Sequence, residues 1–115
     1  MALLDFFGTI MNASYAATDP ITSDDVSAQI FGGAQGSTAS GFSIHAFSTR
    51  AGTITVKYVD RAANARDISG AVGLAVPAST LTTINLNQHY PKIRCVFTPD
   101  AATAGTIRVE AYSKG

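Results

Sequence analysis

Two histidines, His45 and His89, a single cysteine, Cys95, and eight carboxylates are the side chains of this 115-residue chain with the means to do chemistry. A metal centre requires several His, Cys or carboxylate ligands to converge, and no HxH or CxxC spacing is present. Asp24, Asp25 and Asp100 offer oxygens to a calcium ion, yet none stands in a DxDxDG-type loop. A nucleophilic serine would call for a Gly-x-Ser-x-Gly elbow, which the chain lacks. Asp60 and Asp67 have the residue types of a glycosidase pair, but they flank one loop and are expected to sit near water rather than in a pocket. The stretch Gly32-Gly33-Ala34-Gln35-Gly36-Ser37 has no Gly-Lys-Ser/Thr ending and opens no helix, so it reads as a linker and not as a phosphate cradle. His45 beside Phe47, and His89 before Tyr90-Pro91, read as structural. Asn12-Ala13-Ser14 matches a glycosylation sequon and, without a secretory route, reads as accidental. An enzyme is therefore not expected, and no cofactor or metal is implied.

The elements that would hold these residues are strands. Thr82, Ile84 and Leu86 alternate with polar neighbours, as do Ile93, Cys95 and Phe97, and then Ile107, Val109 and Ala111. That period of two predicts strands with one buried and one wetter face, and it makes Cys95 a small buried apolar residue rather than a reactive thiol. The breakers His89-Tyr90-Pro91 and Thr98-Pro99-Asp100 lie between these runs, and the three strands read as an antiparallel meander. Upstream, Gly41–Ser48 is a clear strand, Val26–Phe31 a weak one, and Ala51–Val59 follows a turn at Arg50. Asp60 to Arg66 reads as a hairpin tip with Asn64 as its left-handed residue. One internal echo occurs: Ala51-Gly52-Thr53-Ile54-Thr55-Val56-Lys57 returns as Ala104-Gly105-Thr106-Ile107-Arg108-Val109-Glu110. Lys57 and Glu110 share a register with opposite sign, which suggests that the two strands are neighbours.

The size fits one domain, and the low charged fraction of 14% with abundant small residues fits a compact all-β protein, an antiparallel β-sandwich. Its formal charge is zero, but unevenly so. No Lys or Arg precedes Arg50, while Asp5, Asp19, Asp24 and Asp25 do; from Arg50 on, eight basic residues face four acidic ones. The asymmetry allows the acidic half of one subunit to lie on the basic half of the next. Dispersed basic residues on a neutral chain do not predict nucleic-acid binding.

Met1 to Met11 is the most apolar stretch, broken by Asp5 and Gly8. It is too short to span a membrane, and it lacks the positive n-region of a secretory signal. Residues 1–20 then read as an N-terminal arm, folded onto its own sandwich or laid on a partner, with residues 21–115 as the single sandwich domain. Leu3, Leu4, Phe6 and Phe7 are its candidate contact residues, joined by Arg61 and Arg66 at the hairpin tip as a rim for an acidic neighbour.

The run STRAGTITVKYVD, together with VPASTLTTINLNQHYPKIRCVFTPDAATAGTIRVEAYSKG, resembles in strand pattern and turn residues the small β-sandwich proteins of tailed-bacteriophage structural gene clusters, capsid cement or decoration proteins above all. The resemblance covers Phe42 to Gly115. It implies a jelly-roll-like sandwich on the virion's outer head surface. There it would assemble as a symmetric homo-oligomer, often a trimer, on the major capsid protein and seal joints between capsid subunits, with the N-terminal arm reaching onto the lattice. The other reading is a carbohydrate- or receptor-binding sandwich module of a tail fibre or secreted protein, in which Tyr58, Tyr90 or Tyr112 would stand in for the absent tryptophan.

Overall fold

The period-two alternation does become strands, ten of them among the described residues, and they stack as two antiparallel sheets. The computed structural model describes residues 4–23, 26–27, 41–86, 90 and 92–114. The strands are β1 (Leu4–Tyr15), β2 (Ile21–Thr22), β3 (Val26–Ser27), β4 (Gly41–Ser48), β5 (Gly52–Val59), β6 (Ala65–Asp67), β7 (Leu74–Val76), β8 (Thr82–Leu86), β9 (Lys92–Pro99) and β10 (Gly105–Lys114). One sheet runs β1-β10-β4-β8; the other runs β2-β9-β5-β6, with β3 also on β9 and β7 also on β5. Four nested pairings, β1 with β10, β2 and β3 with β9, β4 with β8, and β5 with β6 and β7, make one long two-stranded ribbon. The lateral pairings of β10 with β4 and β9 with β5 roll that ribbon up. This is the jelly-roll arrangement of two packed sheets.

The rolled topology corrects the meander expected for the last third. The strands β8, β9 and β10 form as expected, but successive ones fall in alternate sheets, so none pairs with the next. It also separates the two echoing strands: β5 and β10 lie in different sheets, Lys57 pairs with Asp67 at 2.9 Å, and Glu110 pairs with Arg108 at 3.3 Å. The echo has another physical meaning. A Cβ on Gly52 would run into the Phe97 ring and come within 2.7 Å of the Thr98 carbonyl oxygen; a Cβ on Gly105 would lie 2.6 Å from the Tyr15 hydroxyl. Each strand thus opens with a glycine that clears space for an aromatic ring from its neighbour. The two rings then meet in the core, with centroids 5.6 Å apart.

The core is built as the alternation requires. Ile44, Ala46, Ile107, Val109 and Ala111 from one sheet face Ile54, Val56, Ile93, Cys95 and Phe97 from the other, all fully buried. Burial with no partner charge pushes the Cys95 thiol up to about 12. Where polar groups enter this core they are bonded. The Ser48 hydroxyl donates to the Arg50 carbonyl at 2.6 Å, and the Tyr15 phenol donates to Ser48 Oγ at 2.6 Å. Among the described residues no buried side-chain nitrogen or oxygen lacks a partner.

Residues 4–15, read from the sequence as part of an arm, form the edge strand β1 along the whole of β10. Two register shifts interrupt it, one between Phe6 and Gly8 and one between Thr9 and Met11. The second leaves Ile10 and Met11 both buried although they are adjacent in sequence. Strands from the acidic and basic halves of the chain alternate in the β1-β10-β4-β8 sheet, whereas in the other sheet β9, β5, β6 and β7 all come from the basic half; the ion pairs Lys57–Asp67, Arg66–Asp60 and Arg108–Glu110 each join two residues of that second half.

At the hairpin tip the left-handed residue is Ala63, with φ of 64°, and not Asn64. Ala63 N–H donates to the Asp60 carbonyl and Asp60 N–H to the Asn64 carbonyl, the pattern of a three-residue loop whose last member is left-handed. Asn64 N–H and the Arg66 guanidinium both donate to the Asp60 carboxylate, which holds its pKa below the usual range. That contribution is present above the unfolded carboxylate pKa and is lost as the pH falls through the lower folded value. Because an L-residue pays a steric penalty in this conformation, Ala63→Gly is expected to raise stability by about 0.5–1 kcal/mol in urea unfolding. A loss of stability would show that the loop does not hold this geometry in solution.

Candidate functional site

On one side of the sandwich the two sheets end in short edge strands, β6 in one and β8 in the other, and a groove of about 580 Å³ opens beside them. Tyr58 reaches it from the end of β5. It keeps the inward phase of Ile54 and Val56, yet it lies beyond the closed core and is only half-buried. Tyr90, between β8 and β9, stacks on Tyr58 with ring centroids 5.3 Å apart and planes 21° from parallel. Leu86 and Ile68, both buried, continue the apolar side of the groove. Its polar side comes from three short elements. Asp67 ends β6, Ser69 follows it, and Asn85 projects from β8 on the exposed phase of the alternation.

The charge of Asp67 is answered in place. Lys57 lies opposite it in the β5–β6 register, and the Lys57 ammonium donates to Asp67 Oδ1 at 2.9 Å. Both side chains are partly exposed, so the pair adds little to stability. Its effect is local neutrality at the groove. Stacked aromatic rings beside hydroxyl, amide and carboxylate groups have the chemistry to meet a ligand with an apolar face and several hydroxyls.

The other residues singled out by the sequence go elsewhere. Arg66 is drawn onto Asp60 at 3.1 Å, while Arg61 is exposed at the tip with no ion pair among the described residues. Leu4, Phe6 and Phe7 lie in β1, where Leu4 pairs in register with Lys114 and Phe6 with Tyr112, and Phe7 falls at the first register shift. Leu3, Asp24, Asp25 and His89 lie outside the described residues. Asp60 and Asp67 serve separate ion pairs, not one site, and Asp67, expected away from any pocket, instead lines the groove because β6 pairs with β5 at its rim. His45 lies on the outer face of the β1-β10-β4-β8 sheet, its Nε2 3.0 Å from Ser43 Oγ and its ring 4.6 Å from that of Tyr112. Tyr112 is thereby separated from Tyr58 and Tyr90. Phe47, 41% exposed, stands opposite Arg108 on the same face.

Among the described residues no group of three or more His, Cys, Asp or Glu side chains is placed to hold a metal ion, and no helix is long and apolar enough to cross a membrane. Ser69 and Asn85 had no local signal in the sequence. Asn85 is one of several polar residues alternating with Ile84 and Leu86, and only the pairing of β8 with β4 and of β6 with β5 brings it near Tyr58. No protein-family model matches the chain. No curated protein matches it either.

Proposed function

We propose that this chain is a non-enzymatic virion structural protein. It binds the outer head surface of a tailed-bacteriophage capsid as a symmetric oligomer, a trimer in the form favoured here, and stabilises joints between subunits of the major capsid protein. The observation that carries the proposal is the placement of the N-terminal segment. β1 is a twelve-residue strand at the end of its sheet, and its outer side has no strand partner among the described residues. Such an edge is a template for strand addition by a neighbour, and its two register shifts restrict which neighbour fits. Leu3, Leu4, Phe6 and Phe7 are the proposed apolar contacts, and Arg61 and Arg66, at the exposed hairpin tip, the proposed basic ones. A stable joint of this kind buries more than about 1,000 Å². The jelly-roll topology agrees with the strand-pattern resemblance, although a fold by itself does not assign a function.

Sedimentation of the intact chain tests the assembly. A closed trimer, or another symmetric oligomer, is expected; a monomer at the highest soluble concentration would overturn the proposal. Arg61→Glu, at an exposed position outside the core, is expected to leave the melting temperature unchanged and to weaken co-sedimentation with capsid shells that carry the decoration protein.

A further inference from the structure

The groove beside β6 and β8 is lined by the stacked pair Tyr58 and Tyr90 and by the polar side chains of Asp67, Ser69 and Asn85. We propose that it binds a neutral pyranose unit of an oligosaccharide, with the Tyr58–Tyr90 pair against an apolar face of the sugar ring and Asp67, Ser69 and Asn85 bonding its hydroxyls. This assignment rests on the groove alone and stands whether or not the chain decorates a capsid.

Four observations select the ligand class. The two rings stack on one another, 21° from parallel, and both line the groove, so aromatic surface without a charged group of its own is presented there. The polar groups beside it include a carboxylate, which only accepts, an amide, which does both, and a hydroxyl, which does both. Vicinal sugar hydroxyls donate and accept in the same mixture. Lys57 neutralises Asp67 at 2.9 Å, which removes the field that an anionic or cationic ligand would need. Finally, a volume of about 580 Å³ falls in the range of small-molecule sites and not of folded partners. Tyr58, Asp67 and Asn85 are carried on paired strands, β5 with β6 and β8 with β4, so these three positions are set by the fold before a ligand arrives.

The test is a titration of the isotope-labelled intact chain with neutral hexose and N-acetylhexosamine oligosaccharides of one to four units, followed by amide and side-chain NMR. At least one member is expected to shift Tyr58, Asp67, Ser69 and Asn85 together. Asn85→Ala, on the exposed phase of β8, is expected to weaken that binding at least tenfold while the melting temperature and the sedimenting mass stay unchanged. Tyr58→Leu, which keeps an apolar side chain at the core margin, is expected to abolish it. No shift at the groove from any member at millimolar concentrations, or shifts insensitive to both variants, would overturn the proposal. Preference for sulfated or sialylated analogues would overturn it as well, because a neutral groove has no means of selecting them. Loss of sugar binding in a chain that still forms a closed oligomer refutes the groove and spares the capsid reading. Sugar binding by a monomer does the reverse.

Discussion

A chain that begins at Asp19 is expected not to fold. It lacks β1, and with it Ile10, Met11 and Tyr15 from the core. Ile10 and Met11 each contribute on the order of 1.5–3 kcal/mol by burial, and the void they leave adds to the cost. Tyr15 takes with it the phenol that bonds Ser48, and the Phe97 ring loses its aromatic neighbour. Removing β1 also strips the partner from the full length of β10, so that Arg108 to Tyr112, now flanked by β4 alone, becomes a sheet edge. A domain of this size holds only about 5–15 kcal/mol in all. The truncated chain should show no cooperative thermal transition and no dispersed amide spectrum. A truncated chain melting as sharply as the longer one would mean that β1 is dispensable to the sandwich.

The second large effect is expected from adding a single methyl group at either of two places. Gly52→Ala puts a Cβ against the Phe97 ring and the Thr98 carbonyl; Gly105→Ala puts one against the Tyr15 ring and hydroxyl. Neither glycine has a positive φ, so the obstacle is space and not backbone conformation. Neither ring can step aside cheaply. Phe97 is fully buried, and Tyr15 is tied to Ser48 by a 2.6 Å bond. Each substitution is expected to cost about 1–3 kcal/mol in urea unfolding, the usual range for overpacking. Because the three atoms nearest to a Cβ at Gly105 all belong to Tyr15, Tyr15→Leu should make Gly105→Ala much less costly, giving a measurable coupling in the double-mutant cycle. Phe97→Leu should relieve Gly52→Ala only in part, since the Thr98 carbonyl remains 2.7 Å away. If alanine at both glycines were tolerated within about 0.5 kcal/mol, the tight packing described for this end of the sandwich would be wrong.

Strands whose two faces differ were legible wherever alternation ran uninterrupted. Ile93, Cys95 and Phe97, and Ile107, Val109 and Ala111, all proved fully buried, and Gly41–Ser48 has the expected limits. β1 was not legible as a strand because its register shifts place Ile10 and Met11 inward side by side, which erases the period of two just where the segment is most apolar. Which strands pair was also illegible, since a meander and a rolled ribbon present the same alternation. The Gly52/Gly105 echo was visible in the sequence, but it marked a shared packing problem at two aromatic rings and not adjacency. For the groove, Tyr58 and Tyr90 could be picked out as aromatic faces. Their stacking, and the arrival of Ser69 and Asn85 beside them, depend on pairings between segments distant in the chain.

The nested ribbon also orders events during synthesis. Its outermost pair joins β1 to β10, Leu4 to Lys114, the first strand made and the last. At the rates at which chains are extended, roughly 5–20 s separate the two, and throughout that interval the most apolar stretch of the sequence has no partner. The inner pairs, β5 with β6 and β7, can close early, because little chain lies between them. The register shifts at Phe7 and Ile10 then serve a nascent strand as well as a finished one: a run that departs from regular pleating is a poor template for the same run on a neighbouring ribosome.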